Sequence, residues 1–395
     1  MIVRSLKDVI SIKIKARHDS FCDQFSRLFM TKMLLIASVI MGFDYFSDKV
    51  SCIVPRASSL SKDFIHSACW ISGLFIYAEM KDRLEDSGYY GIPHKIKHDG
   101  LRDGHLCETK DLNKVHSTCI RMGRIYYLQY QWMPFYIGAL AVLYYFPYII
   151  FRLVNADLVS LKGALKSTSD ADGIVKNYFN YKINPLSQLR KRVWLNILVK
   201  MIYVAVNLFA FYFTDYLLLG NYVGYGKSYL DWTKLDTTEA HISARERVDP
   251  KPGNKLLPSM GLCDIHEATA DVSSSTENIN KFICEISPNI LYQYVLIILW
   301  FLFVLSISMS ILGLVSNIAE QVYRLGSATS KKTIYRYITL RETEYLTFIR
   351  KKNMVLYGDV LRKLKQQRAD LQGKFMEGFE TKLELELIKC KESYA

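Results

Sequence analysis

Residues 126–152 read YYLQYQWMPFYIGALAVLYYFPYIIFR: clustered aromatics, a charge-free apolar span, then Arg152. Tyr126, Tyr127, Tyr130 and Trp132 carry amphipathic rings that favour a membrane–water boundary. Pro134 suits the first turn of a helix, where its missing N–H is not needed. As a helix, Met133 through Phe151 extends about 28 Å, enough to cross a hydrocarbon layer of roughly 30 Å. The chain is therefore expected in a membrane.

Three further spans complete a four-helix frame. Ile290–Val315 contains no charged residue. Residues 193–219 hold Lys200, which can snorkel to one end, and Asp215, which suits a cap at the other. Residues 28–46 are weaker, with Lys32 and Asp44 inside. They are included because an odd number of spans would put the lysine-rich ends on opposite faces. The fold expected is an all-α membrane protein with four transmembrane helices, disulfide-stabilised extracellular loops and a helical cytoplasmic domain. Its segments are 1–27 (cytoplasmic), 28–46 (first span), 47–132 (first outer loop), 133–152 (second span), 153–192 (cytoplasmic loop), 193–219 (third span), 220–289 (second outer loop), 290–315 (fourth span) and 316–395 (cytoplasmic helical region). Basic flanks such as Arg190-Lys191-Arg192 and Lys331-Lys332 assign both termini to the cytosol.

The net charge of +13 needs no nucleic acid, because the basic residues flank apolar spans where anionic lipid is the natural partner. The N-terminus is not read as a signal peptide: Lys7, Asp8, Lys13 and Lys15 interrupt its first apolar stretch. No phosphate loop, His-Glu-x-x-His or nucleophile elbow occurs, so no enzyme is expected.

Of the 8 cysteines, Cys52, Cys69, Cys107, Cys119, Cys263 and Cys284 fall in the outer loops, while Cys22 and Cys390 face the cytosol. An even set on the oxidising side is expected to form disulfides, with Cys107 and Cys119 as a candidate extra pair. His94, His98, His105 and His116 lie near that pair, but their spacing fits no compact zinc template. Neither a metal nor a cofactor is expected.

Two cysteines in each outer loop, Tyr130-Gln131-Trp132 opening the second span and Pro147 near its cytoplasmic end together resemble the innexins. These are invertebrate gap-junction subunits related to pannexins. DKVSCIVP, SACWI, GLCDIHE and FICEISPNILYQYVLIILWFLF carry the similarity, as does the run DSFCDQFSRLFMTKMLLIASVI. The family's usual YYQW is altered, since Gln129 precedes Tyr130 here.

This resemblance implies a large-pore channel subunit that forms rings of about eight copies, alone or with sister innexins. Each ring would dock onto an opposing hemichannel in a neighbouring cell at a plasma-membrane gap junction. Cys52, Cys69, Cys263 and Cys284 permit three pairings; the family implies Cys52–Cys284 and Cys69–Cys263. It also implies a pore mouth built from Met1, Ile2, Val3 and Arg4, with Asp44, Asp48 and Lys49 as a second candidate lining. An undocked pannexin-like hemichannel and a non-conducting four-span adhesion protein are the alternatives. Residues 360–368 are expected to form a subunit-packing helix.

Overall fold

A computed structural model describes residues 20–47, 50–55, 60–81, 83, 87–93, 101–102, 104–108, 118–167, 170–240, 250–268, 277–329 and 338–366. Met1, Ile2, Val3, Arg4, Asp48, Lys49, His94, His98, His116 and Cys390 lie outside these residues, and so do the side chains of Asp44 and Cys107.

Four helices are long and apolar enough to cross a membrane. Helix α1 comprises Phe21–Gln24, a π-helical segment Phe25–Met30, and Thr31–Ser47. It starts before residue 28 because Ser20 and Asp23 form a capping box that satisfies the first free N–H groups. Helix α3 is Gln129–Val154, α6 is Leu186–Leu217 and α9 is Ser287–Thr329. Pro288 sits in the first turn of α9, where a missing N–H costs nothing. At 43 residues, α9 is about 64 Å long and must project well beyond a bilayer. Helix α3 continues through Pro147 without a break.

The chain divides into two units, and each long helix contributes a stretch to both. The loop-bearing unit includes residues 28–144 and 206–307. Its first loop forms β1 (Ser51–Cys52), α2 (Lys62–Ser72), β2 (Leu74–Tyr77), β3 (Ser87–Tyr89), β4 (Ile92–Pro93), β5 (Leu101–Arg102), β6 (His105–Glu108), β7 (Thr118–Arg121) and β8 (Arg124–Tyr127). Its second loop forms α7 (Tyr225–Thr233), α8 (Pro252–Leu256), β9 (Met260–Ala268) and β10 (Glu277–Glu285).

Five of these strands make one antiparallel sheet in the order β1-β10-β9-β2-β8. The β9–β10 hairpin of the second loop is therefore held between β1 and β2 of the first. The membrane and tail parts are helical, but the loops carry a sheet that hydropathy alone did not reveal. Phe282 and Cys284 of β10 are buried at alternate positions, as a half-buried strand requires. Gly73 ends α2 and turns the chain into β2 at φ 84°, where the Leu128 side chain leaves no room for a Cβ.

Polar contacts join the spans within this unit. Helix α3 begins at Gln129, which puts Pro134 in its second turn rather than its first. Pro134 cannot donate to the Tyr130 carbonyl four residues back. Tyr292 of α9 donates its hydroxyl toward that carbonyl (3.4 Å) and toward the Met41 carbonyl of α1 (3.3 Å). Ser38 of α1 donates to the Pro134 carbonyl at 2.7 Å. Tyr136 meets Thr214 at 2.8 Å, and Ser306 donates to Asn207 at 2.5 Å. With no water to compete inside a membrane, these groups have to find protein partners.

The tail-bearing unit includes residues 12–27, 145–205 and 308–395. It contains α4 (Ala156–Ser167), α5 (Ala171–Tyr178), α10 (Leu340–Lys352) and α11 (354–366). Lys200 does not snorkel free: it forms a buried ion pair with Asp23 and donates to Ser20 at 3.3 Å. Arg27 lies 3.7 Å over the Tyr148 ring. Leu161, Ile174, Phe179, Leu189, Tyr345 and Ile349 form the core. Val360 and Leu364 join it, so that side of α11 packs within its own chain, while Met354 and Val355 at its start are exposed.

Arg341 is wholly buried and clamps Asp157 through two bonds of 3.0 and 2.7 Å, with Asn155 at 2.8 Å and Glu344 at 2.5 Å. Burial alone would raise the Asp157 carboxyl, but the bonds and charge of Arg341 hold it below the usual range.

Two outcomes follow from these contacts. Removing the Arg341 side chain (Arg341→Ala) takes the main partner from the buried Asp157 carboxylate, leaving it Arg192 at 3.2 Å and the Tyr345 hydroxyl, and should cost about 3 kcal/mol in equilibrium unfolding. A depressed carboxyl stabilises the fold above its unfolded value of about 3.9 and loses that effect as pH falls through the folded value. The difference between wild type and variant should thus shrink on acidification below about pH 4, and a pH-independent difference would contradict the pairing. Tyr292→Phe leaves the Tyr130 carbonyl, which Pro134 cannot serve, short of a donor and should cost about 1–3 kcal/mol by the same measurement.

Candidate functional site

The chemistry of this chain concentrates where its two loops meet. Two disulfides cross that seam: Cys52–Cys284 and Cys69–Cys263. The first joins residues paired in the β1–β10 register, and the second ties the end of α2 to β9. All four cysteines are at most 4% exposed. Phe75 pairs with Leu262 across the β2–β9 seam, so hydrogen bonds and covalent bonds reinforce the same junction. Arg124 of β8 adds an ion pair to Asp264 of β9 at 2.9 Å and stacks 4.5 Å from the Phe75 ring.

Tyr130, Gln131 and Trp132 connect this assembly to the second span. The Tyr130 hydroxyl donates to the Trp70 carbonyl at 2.8 Å, and the Gln131 amide donates to the same carbonyl at 2.6 Å. Tyr130 also packs on the Trp70 ring, with centroids 4.6 Å apart. The residue after Cys69 is thereby latched to the first turn of α3. Trp132 makes an edge contact with Tyr136 inside α3. Strand β8 passes into α3 through the single residue Leu128, and β10 passes into α9 through Ile286. The sheet is thus continuous in the chain with two spans.

The second loop is fastened to α9 by groups the sequence did not mark. Tyr222 donates to the Leu296 carbonyl and Tyr225 to the Gln293 carbonyl, each at 3.0 Å. Burial raises the Tyr225 phenol above its ordinary value, so it keeps its proton and stays a donor. Trp300 donates to the Val223 carbonyl at 3.2 Å, and its ring lies so close to Gly226 that a Cβ there would overlap it. Gln293 donates to the Leu257 carbonyl and Asn289 to the Pro258 carbonyl, both at 2.7 Å. Asp215 accepts from the Tyr222 and Val223 N–H groups at 2.7 and 2.8 Å, which closes the turn after α6.

Cys119 is exposed and disulfide-bonded, and the β6–β7 register sets Cys107 directly opposite it. The sulphurs of Cys52, Cys69 and Cys284 lie within 4.8 Å of one another, but each is committed to a bridge and offers no thiolate to a metal. The assembly leaves apolar side chains in the open, among them Ile53 (64% exposed), Phe64 (54%) and Ile71 (75%). An assembly of this kind can present a fixed surface. The residues expected at the pore mouth, Met1 to Arg4 with Asp48 and Lys49, lie outside the described residues.

The innexin family model matches residues 19–372, a stretch that holds all four spans, the shared sheet and both bridges. Innexin inx2 of Schistocerca americana is 24% identical over 323 residues, covering 78% of this chain and 79% of that protein. Innexin inx2 of Drosophila melanogaster is 24% identical over 299 residues, with 73% and 71% covered. Innexin inx3 of the same fly is 23% identical over 325 residues, with 80% and 71% covered. With the family matched across most of its length, the chain belongs to the innexins, the subunits of gap-junction channels.

Proposed function

We propose that the loop assembly is the platform on which a hemichannel of this chain meets another across the intercellular gap. The observation that carries this reading is the placement of the second-loop hairpin between two first-loop strands, with a disulfide on each side. Two loops tied into one body lose little freedom on docking, so less of the contact energy is consumed in ordering them. Exposed Ile53, Phe64 and Ile71 supply apolar contact area on that body.

In this reading 47–132 and 220–289 face outward and both termini are cytoplasmic, supported by the basic flanks and by disulfides concentrated in the two loops. A four-span subunit is too thin to enclose a wide pore, so copies close a ring, of about eight by family resemblance. Those copies are this chain alone or this chain with sister innexins. Exposed apolar residues such as Phe135, Val142 and Leu153 on α3 are then divided between lipid and neighbouring subunits. Met1, Ile2, Val3 and Arg4 line the cytoplasmic mouth, where a ring of Arg4 would disfavour cations. Asp44, Asp48 and Lys49, with mixed signs, follow as a weakly selective stretch.

Dual voltage clamp of two cells, each expressing only this chain, tests the proposal. Current should pass between the cells and vanish with Cys69→Ser. Current confined to single cells would instead identify an undocked hemichannel. Silence in both, with the chain at the cell surface, would contradict conduction by this chain alone.

A further inference from the structure

The two bridges are ordinarily two independent clamps, but their sulphurs are not independent in space. Cys69 belongs to one bridge, yet its Sγ lies within 4.8 Å of both sulphurs of the other, Cys52 and Cys284. Cys263, at the far end of its own bridge, does not share this mutual closeness. All four are buried, so a thiolate released here meets a neighbouring disulfide before it meets solvent.

We infer that the bridges form one intramolecular exchange unit in which Cys69 is the shared sulphur. The step is a thiol–disulfide exchange. When the seam opens locally, a small external thiol reaches Cys263 and bonds to it, and the electron pair of the broken Cys69–Cys263 bond leaves on Cys69. The Cys69 thiolate then attacks Cys284, the Cys52–Cys284 bond breaks, and its electron pair leaves on Cys52, which takes up a proton. Attack on Cys52 instead releases Cys284. Neither rearrangement changes the net oxidation state after the first opening. The two products differ in consequence: Cys69–Cys284 still ties the first loop to the second, whereas Cys52–Cys69 closes within the first loop and releases the seam.

Disulfide mapping of the full-length protein tests this, using digestion under acid quench and mass spectrometry. In Cys263→Ser, where Cys69 has lost its partner, Cys69 should be found bonded to Cys284 or Cys52, with an equal amount of the displaced cysteine as free thiol. In Cys69→Ser the Cys52–Cys284 bridge should persist and Cys263 should stay free. Wild-type protein held with a trace of reduced glutathione should yield the same non-native pairs without any substitution, which covers the case of a variant that fails to fold. An intact Cys52–Cys284 bridge beside a free Cys69 would overturn the inference. So would Cys69 pairing equally with Cys107 or Cys119, which would mean scrambling unrelated to proximity. The map reads covalent partners alone, so its failure leaves the docking proposal standing.

Discussion

Everything on the loop side of this protein depends on one sheet having two owners. Strands β1, β2 and β8 come from the first loop, β9 and β10 from the second, and the second loop's hairpin lies between strands of the first. Neither loop can form that sheet alone. Backbone hydrogen bonds at two seams specify the register, and the disulfides then lock it. A bridge that closes about two hundred residues of chain removes much freedom from the unfolded state.

The sheet in turn controls the spans. Because β8 and β10 run into α3 and α9 through single residues, the strand ends set where those helices start. Pro134 removes one helical hydrogen bond and thereby frees the Tyr130 carbonyl for Tyr292, which also reaches α1. A helix defect thus becomes a point where three spans meet. Tyr130 also holds Trp70, next to a bridging cysteine, so the motif that opens the second span joins the membrane part to the covalent seam.

Much of this was legible in the sequence, for reasons that differ by element. Charge-free runs such as Met133–Phe151 read directly as spans, because hydropathy is a property of the run itself. The start of α1 was not read: its Ser20–Asp23 capping pair lies ahead of the apolar run, and the run alone placed the first span at residue 28. No strand was read in either loop: β1 and β2 have only 2 and 4 residues and owe their pairing to distant chain. Lys200 looked like a snorkelling residue because its partner Asp23 lies 177 positions away. The same distance problem hid Arg341, whose partner Asp157 is 184 positions earlier. Residues 360–368 carried an amphipathic pattern, and pattern alone cannot say whether the apolar side meets its own chain or another.

The central claim is that the two loops form a single, already ordered body before any docking occurs. Amide hydrogen exchange of β2, β9 and β10 tests it most directly, measured on undocked hemichannels and on docked pairs. The account predicts strong protection of all three strands in the undocked state, with docking adding protection only at exposed surfaces. Strands that exchange freely until docking would contradict it, because the loops would then be ordered by the partner and not by their shared sheet.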